Sequence, residues 1–555
     1  MTPRHLCVSG RAALAVLALS WARDIRAERL FVGILEVDSY QSVIYGASAF
    51  SRVADLPLAL DLVQTTLAKN LSLPSFAGVS ATEPLHIVQT LDPALPVAAD
   101  NPANVALIPL ADDGTATREA FAAAYRTQTP LETGTLFETP SDTNLPPRVA
   151  IAVADRHLFT SVSRDALAWA WQNRAKLIGA PPQNLPGTFR VLVNPQRLAD
   201  LLGSRGEKAS AFINADKLIR DFDSLAFSLT LDGQALAFAV RGSPKKESAL
   251  GALTTAWRQP SARLWNGSPD DAFFMSLTAS GSPGLWAPYL GAARSRLFDP
   301  LSGLAPRTAF TGEKLTYLAP NRNRQGLCFV QIEPVTNAAP VRDAIGKLHT
   351  AEKNGDLLLT PKPPRRIADT PVATYALMLQ PPATGSDGKP ADPSILFTLL
   401  SLFLKQAVLE TAVADGHLIT VIGSPQSIDG ELPALAFREK TLTLQRKISA
   451  QDPALNTNLT ASASLQIASL LRYVVSIMPD VKPEQIRLLP TGGDGATFGI
   501  SLTDERTLTA SLRFQSNEIA ALQRINRDGR EVLQELFFQM FAKQMMRQSA
   551  PPEKK

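Results

Sequence analysis

The chain has almost no cysteine: two residues in 555, Cys7 and Cys328. That excludes a disulfide framework, and with no Cys-x-x-Cys there is no cysteine zinc site to read. Cys7 lies in a segment expected to be removed. Cys328, in "GLCFVQI", is then a lone thiol expected to be buried in a strand. Histidine is scarce as well. His86, His157, His349 and His417 remain beyond the first residues, and none stands in His-Glu-x-x-His spacing. Charged residues are only 19% of the chain, and the net charge of +4 is carried mainly by Arg4, Arg11, Arg23 and Arg26 at the start. Without residues 1–27 the balance is about +1, which gives no footprint for nucleic acid. No later apolar run is long enough to span a membrane, "ILFTLLSLFLK" included.

Nucleophile and phosphate signatures are missing too. "ASGSPG" around Ser282 lacks the Gly-x-Ser-x-Gly spacing, and Pro283 removes an amide. "PTGGDGATFG", Pro490 to Gly499, lacks the P-loop lysine and serine and reads as a loop between strands. No glycine-rich cradle precedes "TGEK" at Thr311. Asp112-Asp113 and Asp270-Asp271 are adjacent carboxylates, but aspartates at such places bind nearby backbone amides in turns and caps. No catalytic, cofactor-binding or metal residue is nominated, and no cofactor is implied.

What the chain does have is proline, 42 residues of it, mostly between apolar runs, which favours many short elements joined by turns. Its start, with Arg4 before "AALAVLALSWA" and then "RDIRA", has the order of a secretory signal over residues 1–27. The periplasm, outer envelope or exterior is the expected location. A cytoplasmic location follows if residues 1–27 are instead a structural helix.

Two stretches repeat: "AVADRHLFTSVS" from Ala152 and "AVADGHLITVIGSP" from Ala412. Both read as hairpins, with turns at Asp155-Arg156 and Asp415-Gly416 and His157 and His417 opening the returning strands. "SLAFSLTLDGQALAFAVRGSP" from Ser224 reads as a third copy, with Asp232-Gly233 at the turn and Gln234 in the histidine place. That favours a turn over a histidine site. "RGSPK" and "IGSPQ" are expected to end strands, with the proline starting a helix that Ser243 or Ser424 caps. "ATFGISLTDERTLTASLRFQSNEIAALQRI" from Ala496 reads as a fourth version, with Ser516 as N-cap, Glu518 in the first turn, and Ile519, Leu522 and Ile525 on one helical face. Strand–helix stretches precede several hairpins, as in "TFRVLVNPQRLADLLG", where Asn194 is placed to cap and Pro195 to begin the helix. Asp232-Gly233 with Gly242-Ser243-Pro244, and Asp415-Gly416 with Gly423-Ser424-Pro425, make the chain similar to large uncharacterised secreted proteins of Gram-negative bacteria, such as those of planctomycetes and verrucomicrobia. The resemblance implies export and repeated α+β units, and it transfers no activity.

The expected fold is α+β: repeated strand–helix–strand–turn–strand units forming antiparallel sheets backed by helices. One region covers 28–260 and a second 262–548, with loops near Pro93–Pro109, Pro140–Pro147, Lys362–Arg366 and Pro381–Pro393, and a disordered tail at 549–555. A C-terminal helix groups Val532, Leu536, Phe537, Met540 and Phe541 at helical spacing, a broad apolar face for its own sheet or for a partner. Trp169, Trp171, Trp257, Trp265 and Trp286 are further packing or recognition residues. The leading functional expectation is a non-catalytic envelope protein that binds a protein, lipid or glycan through its sheet surface or through Leu536, Phe537, Met540 and Phe541. The alternatives are a hydrolase of envelope material with a site assembled from distant residues, and a structural subunit of an envelope assembly.

Overall fold

The structure, a computed structural model, describes residues 30–55, 60–92, 103–142, 145–178, 186–204, 215–257, 271–279, 305–321, 326–348, 357–379, 407–431, 459–478, 481–492, 494–502, 506–530 and 534. It is a mixed α+β fold of antiparallel strands and helices in two compact units. They divide at Gly251/Ala252, with Arg506–Thr509 grouped with the first unit. The C-terminal apolar cluster Leu536, Phe537, Met540 and Phe541 lies outside the described residues, as do Ser282, Asp270, His349, Trp265 and Trp286.

The first unit holds strands β1 (Leu30–Val37), β2 (Leu85–Leu91), β3 (Ala103–Pro109), β4 (Tyr125–Leu131), β5 (Gly134–Pro140), β6 (Arg148–Ala154), β7 (His157–Ser161), β8 (Phe189–Val193), β9 (Phe222–Leu231) and β10 (Ala235–Pro244). They pair antiparallel in the order β4–β5–β6–β7–β3–β2–β1–β8–β9–β10. Its helices are α1 (Tyr40–Val53), α2 (Leu60–Asn70), α3 (Thr115–Ala124), α4 (Arg164–Gln172), α5 (Arg174–Ile178), α6 (Pro195–Ser204) and α7 (Ala215–Arg220), with α8 (Ala249–Ala256) at the division. Cap chemistry sets several starts: Ser39 Oγ accepts from Ser42 N, Ser163 Oγ from Ala166 N, and Asn194 Oδ1 from Arg197 N just ahead of Pro195. The sheet is covered on both faces. Ile108 packs with Phe121 of α3 and Leu158, while Leu107 packs with Phe159 and Leu167 of α4. That is why β3, "ANVALIP", is nearly continuously apolar instead of alternating. It is also why this part of the expected Pro93–Pro109 loop is a central strand.

The second unit holds β11 (Phe274–Ala279), β12 (Glu313–Pro320), β13 (Leu327–Pro334), β14 (Leu357–Pro361), β15 (Arg365–Ile367), β16 (Thr370–Leu379), β17 (Val408–Ala414), β18 (His417–Gly423), β19 (Leu459–Leu465), β20 (Ala496–Leu502) and, from Ala510 onward, β21 (Leu508–Gln515). Its described helices are α9 (Ala338–Gly346), α10 (Ile428–Glu431), α11 (Ile467–Ser476), α12 (Pro483–Arg487) and α13 (Ser516–Asp528). With β14 and β15 both on β16, the order runs β16–β17–β18–β13–β12–β11–β19–β20. Strand for strand this is the order of the first unit. The bonds at the strand ends recur as well. Leu110 N donates to Arg156 O and Val335 N to Gly416 O; Ser80 N donates to Pro109 O and Thr311 N to Pro334 O; Asn194 N donates to Val32 O and Gln466 N to Phe273 O. What recurs is this whole topology, and the pairings do not divide into the short strand–helix–strand–turn–strand blocks read from the sequence.

This changes the hairpin assignments. The β6–β7 and β17–β18 hairpins are equivalent, and both turn through two positive-φ residues, Asp155 and Arg156 (50° and 56°) and Asp415 and Gly416 (48° and 73°). The β9–β10 hairpin is not a third copy, for it occupies the other end of its sheet, beyond β8. Neither Asp232 nor Gly233 has a positive φ; instead Asp232 Oδ1 accepts from Gln234 N and Ala235 N at 2.7 and 2.8 Å. Gln234 is therefore no counterpart of the histidines. Pro244 ends β10 without opening a helix, and Ser248, not Ser243, caps α8 through Gly251 N at 3.0 Å. Ser424 does not cap a proline-led helix either: α10 begins at Ile428, beyond Pro425. The N-cap of α13 is Gln515, one residue before Ser516. The "PTGGDG" segment follows α12 rather than a strand, and Lys362–Arg366 includes the start of β15.

Candidate functional site

One buried group of ionisable side chains in the first unit is built by strand register. Glu36 of β1 lies opposite His86 of β2 on one side and Arg190 of β8 on the other, so the three share one row on one face. Arg190 Nη2 donates to Glu36 Oε1 and, at 3.4 Å, to Asp38 Oδ1, and Nη1 donates to Gly187 O at 3.1 Å. His86 Nε2 lies 3.9 Å from Glu36 Oε2. The side chains of Glu36, His86 and Arg190 are 9%, 13% and 15% exposed. Burial holds the His86 pKa below the ordinary imidazole value; Glu36 pulls it back up, while His157 and Arg190 push it further down. The ring is thus neutral near pH 7, a base beside a carboxylate that Arg190 already neutralises. The sequence reading had this histidine but not its partners, which lie about 50 and 100 residues away along the chain and meet only through sheet register.

His157 and His417 serve their turns. In each, ring Nδ1 lies 2.8 Å from the carbonyl oxygen of the aspartate two residues before, Asp155 or Asp415. Asp112 and Asp113 are likewise local: Asp112 Oδ1 accepts from Gly114 N at 2.7 Å, and Asp113 Oδ1 accepts from Thr115 N and Oγ1 at the start of α3. Trp171 meets Phe159 edge-on and carries the Arg174 guanidinium 5.0 Å from its ring centre, so it packs. Cys328 is buried in β13.

In the second unit the polar groups converge on the Gly-Ser-Pro segment. Glu410 of β17 accepts from Gln426 N, Ile428 N and Arg365 Nη2 at 3.0, 3.1 and 2.7 Å, and Arg365 also reaches Asp429 at 2.5 Å. Tyr317 Oη donates to Glu431, and Asn321 Nδ2 donates to Ser424 Oγ and Ser427 Oγ at 2.9 and 2.7 Å. These bonds fasten the turn after β18 to the sheet. Every group in them is engaged by a protein partner, which is the signature of a structural network. An open hollow of about 450 Å³ beside α3 and the β4–β5 hairpin presents Arg118, Gln128, Thr133, Thr135 and Phe137. Among the described residues, no three potential metal ligands meet.

Apolar exposure is concentrated elsewhere. Tyr45 and Val53 on α1 and Leu60 and Leu62 on α2 are four of the five most exposed large apolar side chains among the described residues, Tyr45 and Leu62 at 66% and 64%. Comparison with family models, with characterised proteins and with solved structures finds no match for the chain.

Proposed function

We propose that the chain is a non-catalytic protein of the periplasm or outer envelope that binds another protein through the α1–α2 helix pair of its first unit. The supporting observation is the grouping of Tyr45, Val53, Leu60 and Leu62 within one helix pair; apolar side chains scattered singly are ordinary, and grouped ones mark contact surfaces. Charge favours a protein over a lipid surface. Arg52 and Lys69 are matched by Asp55 and Asp61, whereas helices that lie on membranes carry an excess of lysine and arginine. The test is native mass spectrometry of the full chain taken gently from its envelope fraction. A stoichiometric protein adduct is expected, lost in the double variant Tyr45→Ser, Leu62→Ser with the fold retained by circular dichroism. A glycan or lipid adduct that survives those substitutions overturns the assignment.

A hydrolase acting on envelope material is the second reading, and His86 beside Glu36 favours it as a base that is neutral near pH 7. Turnover of an envelope polymer that His86→Leu abolishes would replace the binding reading with this one.

A further inference from the structure

The recurring strand order lets each residue of one sheet be matched to a residue of the other. Pro109 faces His157 across β3 and β7, and Pro334 faces His417 across β13 and β18. Counting from there, Leu107 and its neighbour His86 match Ile332 and its neighbour Leu315. One strand further on, Glu36 matches Leu277, and beyond it Arg190 matches Ser462. The ionic row of the first unit thus lies where the second has Leu315, Leu277 and Ser462, all buried, the two leucines completely. One backbone arrangement accepts either filling, so the topology does not require the charges.

We propose that the two units are copies of one fold that have diverged in their response to protons: the first carries the buried His86–Glu36–Arg190 row and loosens first in acid, while the second, with leucine in the histidine place, does not. The groups facing His86 are Glu36 from β1 at 3.9 Å, Arg190 from β8, which also binds Asp38, and His157 from β7. Glu36 alone welcomes a proton on the ring, and its charge is already committed to Arg190. The fold therefore holds the imidazole neutral, and the unfolded chain binds the extra proton. Stability is complete above the free imidazole value of 6.5 and falls as pH drops through it. Carboxylates with ordinary values, near 4, do not titrate in that window.

Hydrogen exchange on the full chain between pH 7.5 and 5.5, corrected for intrinsic rates, reads the two units side by side. Protection in β1, β2 and β8 is expected to fall several-fold, up to about tenfold one pH unit below the free imidazole value, while β11, β12 and β19 keep theirs. His86→Leu, the filling the second unit uses, is expected to remove the difference, and His157→Gln to leave it in place. Equal loss in both units, loss in neither, or loss that persists in His86→Leu overturns the proposal. Should His86→Leu fail to fold, the triple variant Glu36→Leu, His86→Leu, Arg190→Ser reproduces the whole second-unit row and gives the same reading.

Discussion

At the scale of the residue, the two equivalent turns show what a side chain is needed for. Arg156 takes a left-handed conformation that costs a residue with a Cβ on the order of 1 kcal/mol, and Gly416 takes the same place without that cost. Gly416→Ala is therefore expected to destabilise the second unit by about 1 kcal/mol in urea titration, although the added methyl meets nothing within 4 Å. The rings of the histidines that follow each bond the carbonyl of their own turn. The double variant His157→Gln, His417→Gln is expected to change stability by less than about 0.5 kcal/mol, measured by thermal melting at pH 7.5. A larger loss would show that the rings do more than border a turn. The chemistry of both residues was legible in the sequence because a hairpin turn is local. Gln234 was misread for a related reason: Asp-Gly marks a bend without specifying its dihedral angles, and here the aspartate side chain closes the turn itself.

At the scale of the element, capping and buried polar bonds decide where helices and strands end. The start of α6 at Asn194-Pro195 follows from two adjacent residues and could be read directly. The end of β18 could not, because its Gly-Ser-Pro segment is held by Asn321 and Glu410, which are remote in sequence or on another strand. Glu410 shows the magnitude involved. Its carboxylate is 1% exposed and receives two backbone amides and Arg365, so Glu410→Ala leaves buried donors unpaired. Breaking a buried pair costs about 3–5 kcal/mol. Arg365 is 26% exposed and keeps access to water, which places the expected loss near the lower end, about 3 kcal/mol. Chemical denaturation followed by hydrogen exchange should locate that loss in β16–β18 and leave β1–β3 protected; a loss spread evenly over both units would contradict it.

At the scale of the whole molecule, the chain presents one strand order twice, with different side chains in the rows that matter. Such a repeat is written in the sheet and only faintly in the residues. Ala-Val-Ala-Asp-x-His-Leu was visible at both places, yet Pro109 with Pro334 and His86 with Leu315 become matches only once the strands are paired. A repeat carried by backbone geometry tolerates replacing a charged row with an apolar one, and that is how the two units come to differ in chemistry while agreeing in topology.

The sequence by itself determined the class of fold, the buried Cys328, the two turn histidines and the Asn194-Pro195 helix start, because alternation, turn residues and capping act over a few neighbouring positions. Only the tertiary structure decided which hairpins are equivalent, that β3 is buried on both faces, and that Glu36, His86 and Arg190 form one row. Those facts depend on register between strands far apart in the chain, and register places residues side by side without leaving a mark in the spacing between them.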